Sequence, residues 1–224
     1  MEPLLTVASL ARMSSPTSPP RTGRQPRMPI EVRREQVLDA ALRLILRHGY
    51  PAATMEAIAR EAQLAKPRVY TAYPGRGPLL LALLEREQQR AITDLAEAMP
   101  AFTDDTNFDT TLLAAATSLL NAVTAHPGPW QLLILPANDA PPEVQQHAQG
   151  RRQFALQQLR ALLEWGRHHR PGLAELDLEL LARTLLAVGE DAVRLILTQP
   201  DRFTAQRYNN YLRDLLKMWS PRTI

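Results

Sequence analysis

The sequence predicts an all-α protein, on three observations. Leu and Ala recur throughout its 224 residues while aromatic residues make up only 5%, and Ala and Leu lose little freedom on entering a helix. Apolar side chains return at spacings of three and four, as Val37, Ala41, Leu44 and Ile45 do, which is the period of one helix face. The breaks between such runs, among them "PAFTDDTN", "PANDAPP" and "HRPG", are rich in Pro, Gly, Asp and Asn, the residues that punctuate helices.

The elements follow in order. Residues 1–29 contain "SSPTSPPRTGRQPRMP", which cannot bury enough apolar surface to offset its ordering entropy and is expected to be a disordered, basic arm. The first helical pattern begins near Ile30, and Gly49 stops it. Thr54 stands before "MEAIAREA" as an N-cap, so a second helix of barely two turns follows. After a break at Gln63-Leu64, "KPRVYTAY" makes a third short helix, with Pro67 in a first turn that has no hydrogen bond to lose. Pro74-Gly75 ends it. Helices this short do not stand alone in water, and the three are expected to pack through Leu42, Ile45, Ile58, Leu64 and Val69. Pro78 opens a longer helix to about Met99, and others are expected at about 108–125, 129–135, 142–168, 175–198 and 204–219. The expected organisation is an arm over 1–29, a three-helix domain over 30–76 and a larger helical domain over 77–224.

Charge is segregated along the chain. The net charge is only +3, yet Arg24 to Arg76 holds ten Lys and Arg against five Asp and Glu, and Ala91 to Pro200 holds seven against thirteen. A basic N-terminal third suggests a polyanionic partner. The absence of cysteine excludes disulfides, thiolate metal sites and a cysteine nucleophile. No apolar run approaches the roughly 20 residues of a membrane span, and the opening "MEPLLTVASLARM" has no basic residue before its apolar stretch, so it makes a poor signal peptide. The expectation is a cytoplasmic protein with no membrane partner. There is no HExxH, and the adjacent His168 and His169 cannot share a helix face. No catalytic residue, metal site or cofactor is expected.

The stretch "AIAREAQLAKPRVYTAYPGRGPLL" joins two short helices through a tight turn and carries Lys66, Arg68, Tyr70 and Thr71 on or near one side of the second. That is the helix-turn-helix arrangement that puts a helix into the major groove. Basic and hydroxyl groups there serve phosphates and base edges alike. From Val37 to Leu80 the chain, through "VLDAALRLILRHGY", Thr54 before "MEAIA", "VY", "YPGR" and "LL", resembles the DNA-binding domain of the tetracycline-repressor (TetR) family of bacterial regulators. The resemblance implies a homodimer that binds operator DNA with its N-terminal domains and a small-molecule effector with its C-terminal ones. It assigns Thr54, Tyr70 and Arg76 to DNA phosphates and Lys66, Arg68 and Thr71 to the groove, Arg68 being suited to bidentate reading of guanine. The chain departs from the family pattern at several positions. Gln63 stands where the family has a turn glycine, and a left-handed backbone there costs a non-glycine residue roughly 1 kcal/mol. Ala65 replaces a serine cap worth about 1 kcal/mol. Ala72, Gly75 and Gly77 also differ from the usual residues.

The helix from about Phe108 to Ala125 has no charged residue after Asp109, as befits a buried helix. Thr117, Asn121 and Thr124 share one stripe of it, and with Trp130, Phe154 and Trp165 as aromatic walls they are candidates for a ligand pocket. The last two long helices carry apolar stripes, Leu178, Leu181, Leu185, Val188 and Ala192 on one, with Gly189 allowing close approach, and Tyr208, Leu212 and Leu215 on the other. Two such helices per subunit would form a four-helix interface across a two-fold axis, as the family does. The sequence thus reads as a DNA-binding regulator, a ligand-released repressor on a palindromic operator. The alternatives are a sequence-indifferent DNA-binding protein and a regulator that has lost its effector and answers to a protein partner.

Overall fold

A computed structural model of the chain describes residues 29–98, 107–134, 139–170 and 172–219; the expected arm, apart from Pro29, lies outside them. The described residues form nine α-helices, one 3-10 turn and no strand. In order they are α1 Ile30–His48, the 3-10 turn Tyr50–Ala52, α2 Met55–Glu61, α3 Lys66–Ala72, α4 Arg76–Ala98, α5 Phe108–Ala125, α6 Pro127–Ile134, α7 Pro142–Arg167, α8 Leu178–Thr198 and α9 Ala205–Trp219. The all-α expectation holds. None of these helices is long and apolar enough to cross a membrane.

Three boundaries differ from the sequence reading. The fourth helix begins at Arg76 rather than Pro78, and α6 at Pro127 rather than 129; in both cases proline sits within the first turn, where its missing N–H costs nothing. Helix α8 starts at Leu178 rather than 175 because Asp177 caps it, its carboxylate accepting from the amides of Glu179 (2.9 Å) and Leu180 (3.1 Å).

Local chemistry ties α2 and α3 to α1. Glu61 of α2 accepts from Arg43 (2.8 Å) and Arg47 (2.6 Å) of α1. Gln36 donates to the Ala62 carbonyl (2.8 Å) and Arg34 to that of Ala72 (3.3 Å). Beneath these bonds Val37, Ala41, Ile58 and Val69 are buried, and so are Leu79, Leu80, Leu83 and Leu84 of α4. The same apolar cluster continues into Leu132 and Leu133 of α6 and Val193 and Ile196 of α8, so α4 belongs to both halves of the molecule.

An ion network reinforces that joint. Glu87 is fully buried, and one of its oxygens takes Arg86 (2.8 Å) and Arg90 (3.1 Å). Arg86 reaches on to Glu35 (2.9 Å) and Asp39 (2.8 Å) of α1. A second cluster, Phe108, Leu163, Leu173, Leu178 and Ala182, fills the far end. There Gly166 of α7 lets the Phe108 ring of α5 lie against its backbone.

Candidate nucleic-acid interface

The candidate surface is built by the short helices α2 and α3. Thr54 begins α2 as expected, its hydroxyl accepting from the Ala57 amide at 3.1 Å. Between the helices Gln63 adopts φ 55°, the left-handed conformation that costs a non-glycine residue roughly 1 kcal/mol. Hydrogen bonds hold it there, from the amide of Gln63 to Arg60 (3.1 Å) and from that of Leu64 to Ala59 (2.9 Å). Ala65 provides no side-chain cap for α3, and Pro67, fixed near helical φ, helps set its first turn.

Burial of Val69 and Ala72 fixes the rotation of α3. It leaves Lys66, Arg68, Tyr70 and Thr71 exposed, as the motif predicts. The Thr71 hydroxyl donates to the Pro67 carbonyl (2.8 Å), which leaves its lone pairs to accept from outside. Arg68 has no ion-pair or hydrogen-bond partner for its guanidinium among the described residues, so its fork of donors is presented whole.

Two other cations are engaged. Lys66 forms an ion pair with Glu56 of α2 and lies 5.9 Å from the centre of the Tyr70 ring. The hydrogen bond between them holds the Glu56 carboxyl below its usual pKa and the Lys66 ammonium above its own. Arg76 turns inward, its Nε donating to the Ala53 carbonyl (2.9 Å) and its Nη2 to that of Tyr50 (2.7 Å). The sequence carried no sign of either pairing, since the first depends on how the turn sets α3 against α2 and the second on how the start of α4 folds back on the turn before α2. Glu56→Gln is expected to release Lys66, strengthen binding to any duplex at low salt and steepen the salt dependence by about one phosphate per half-site. A titration of a random duplex against salt checks this, and a weaker complex would show that Glu56 is needed to position Lys66.

The six candidate pocket residues do not gather around one space. Thr117 donates to the Leu113 carbonyl (2.7 Å) and meets Asn209 of α9 (3.2 Å), while Thr124 donates to that of Leu120 (2.8 Å). Asn121 and Phe154 are exposed, Trp130 is buried in the main core, and Trp165 stacks on His169. One cavity among the described residues, about 270 Å³, lies between the two halves of the molecule and has none of the six in its wall. Its lining includes Tyr50, Leu84 of α4, Leu132 and Ile134 of α6, and Val144 and Arg151 of α7. Hydroxyls on a helix often satisfy their own backbone, as those of Thr117 and Thr124 do here.

Of the nine candidate interface residues, Val188 alone is largely exposed, at 56%. Leu178 and Ala192 are buried within the single chain, and Leu181 and Leu185 pack on the Phe108 cluster. Gly189, Tyr208, Leu212 and Leu215 are half-buried. The large apolar side chains that α8 leaves exposed are Leu180 and Val188, and on α9 they are Tyr211 and Met218. Both helices have two apolar faces, and sequence alone did not say which one turns inward.

Known proteins match the chain over this same region. Residues 37–83 fit the model of bacterial regulatory proteins, tetR family. The chain is 34% identical over 79 residues to the HTH-type transcriptional activator FasR of Mycolicibacterium smegmatis, a stretch that covers 35% of this chain and 36% of that one. It is 40% identical over 58 residues to the HTH-type transcriptional repressor KstR of Rhodococcus jostii, covering 26% and 27%. The match therefore spans well under half the length of these two relatives. The crystal structure of a TetR-like transcriptional regulator from Rhodococcus sp. RHA1 superimposes with a TM-score of 0.65 at 26% identity, over 84% of this chain and 96% of the other.

Proposed function

Because the chain belongs to the tetR family of bacterial regulatory proteins, we propose that this transcriptional regulator is a homodimeric repressor that α3 docks on a palindromic operator and a small molecule releases. The observation that carries the reading is the exposed face of α3, where an unengaged Arg68 stands on a helix fixed against α1 by Arg34 and against the core by Val69. A rigid helix with a bare guanidinium suits base reading in the major groove. The cavity between the two halves supports a ligand-dependent response, because its wall includes Tyr50 from the DNA-reading half and Arg151 from the other. Selection of bound duplex from a random pool tests the proposal. It should return one palindrome preferred over random DNA by at least about a thousandfold. Affinity set by salt alone, whatever the sequence, would instead support a sequence-indifferent binder.

The dimer is assigned to the exposed apolar side chains of α8 and α9. Val188→Glu is expected to give monomers that keep their helix content and lose operator affinity, since a carboxylate without a partner in a closing interface costs several kcal/mol. Light scattering checks it; an intact dimer would move the interface elsewhere.

A further inference from the structure

The cavity at the junction has a chemical character that narrows its ligand. Its wall is mostly aliphatic, from Leu84, Leu132, Ile134 and Val144 among others, and it contains one cationic side chain, Arg151. Only one partner of the guanidinium is present among the described residues, the Leu133 carbonyl, to which Nη2 donates. No carboxylate forms an ion pair with it there; the nearby Glu190 is taken by Arg152 at 3.2 Å. Most of a five-donor fork is thus left without a protein anion on a half-buried side chain. Tyr50 also lines this cavity, only 6% exposed, and its hydroxyl is buried with no hydrogen-bond partner among the described residues. A buried hydroxyl in that condition is costly and uncommon in native proteins.

We infer that the cavity is the receptor site for a small monocarboxylic acid, its carboxylate held by Arg151 and the Tyr50 hydroxyl and its apolar body lying among the aliphatic side chains. The inference rests on the regulator reading above and gives its effector a chemical class. The volume, about 270 Å³, suits a small ligand. That admits a short aliphatic or single-ring acid. Charge limits it too: one cation in an apolar wall neutralises a monoanion, while a phosphate dianion would remain under-compensated. Burial supports the donor roles. It pushes the Tyr50 phenol up to about 12, so the hydroxyl keeps its proton, and it draws the Arg151 guanidinium below its usual value, a sign of a cation short of counter-charge. The ligand would also reach the DNA-reading half directly, since the Tyr50 carbonyl accepts the bond from Arg76 that seats α4 on the turn before α2.

The test uses the full chain, with hexanoate and benzoate as probes and hexanol, benzamide and inorganic phosphate as controls at constant ionic strength. Calorimetry should show saturable binding of at least one acid and at least about tenfold weaker binding of its neutral counterpart and of phosphate. Arg151→Met should abolish it. Should that variant fail to fold, Tyr50→Phe decides, because it deletes only an unpaired hydroxyl: the free protein should melt no lower than the parent while acid affinity falls by about fivefold or more. No saturable binding by either acid, equal binding of acid and neutral analogue, or unchanged affinity in Tyr50→Phe would each overturn the assignment. Operator binding without any acid is measured separately. Its loss would overturn the regulator reading, whereas intact operator binding with no acid binding would overturn this inference alone. A saturating acid should shift operator affinity at least about threefold; no shift would overturn the coupling.

Discussion

Gly166→Ala is expected to destabilise the protein by roughly 2 to 3 kcal/mol, although alanine is the better helix former by about 1 kcal/mol. A methyl group at position 166 would lie 2.2 and 2.3 Å from two ring carbons of Phe108 and 3.2 Å from a methyl of Leu173. Phe108 is 2% exposed, so its ring has no empty space to swing into. The clash therefore outweighs the propensity gain, and α5 and α7 must separate or the ring must leave its rotamer. Urea unfolding measures the cost. Phe108→Leu in the same chain should reduce it, since the two changes meet in one contact; a Gly166→Ala protein more stable than its parent would mean that the helices are not seated this closely.

The second large effect separates two arginines that the family resemblance places together on DNA. Arg68→Ala should leave stability within about 0.5 kcal/mol of the parent, because no partner within the described residues is lost. On the selected operator it should cost about 1 to 3 kcal/mol and relax specificity at one symmetric pair of positions. Arg76→Ala should do the reverse. Its guanidinium holds two backbone carbonyls, and losing those charge-assisted bonds should destabilise the DNA-reading half by about 2 to 3 kcal/mol, less than the full sum because the side chain is only half-buried. Thermal melts and operator titrations on both variants decide the matter. An Arg76→Ala protein of parental stability whose salt slope drops by about one per half-site would return Arg76 to the phosphates.

These residues also show what a sequence discloses. Gly49, Thr54 and Pro67 act within a turn of themselves, so the ends of α1, α2 and α3 were legible from local chemistry. The exposed side of α3 was legible as well, since Val69 and Ala72 leave few other rotations. Arg76 was not, because its acceptors belong to the turn that follows α1. Arg151 in "GRRQF" looks like any solvated charge, and Tyr50 like any aromatic after a helix stop; only the packing of α4, α6 and α7 brings them to one cavity. The stripe on α8 is legible in sequence, whereas which part of it packs within the chain is not, as happens when a helix is apolar on more than one side.

The ion network between α1 and α4 has a mechanical meaning. Glu87 and its two arginines all belong to α4, and the strongest tie to α1 is Arg86, whose side chain is 11% exposed and which spans from Glu87 to Glu35 and Asp39. A slide of α4 along α1 would part Arg86 from both α1 carboxylates and leave its charge to Glu87 alone. Such a joint works as a key in a slot, favouring one register of α4 on α1 over its neighbours.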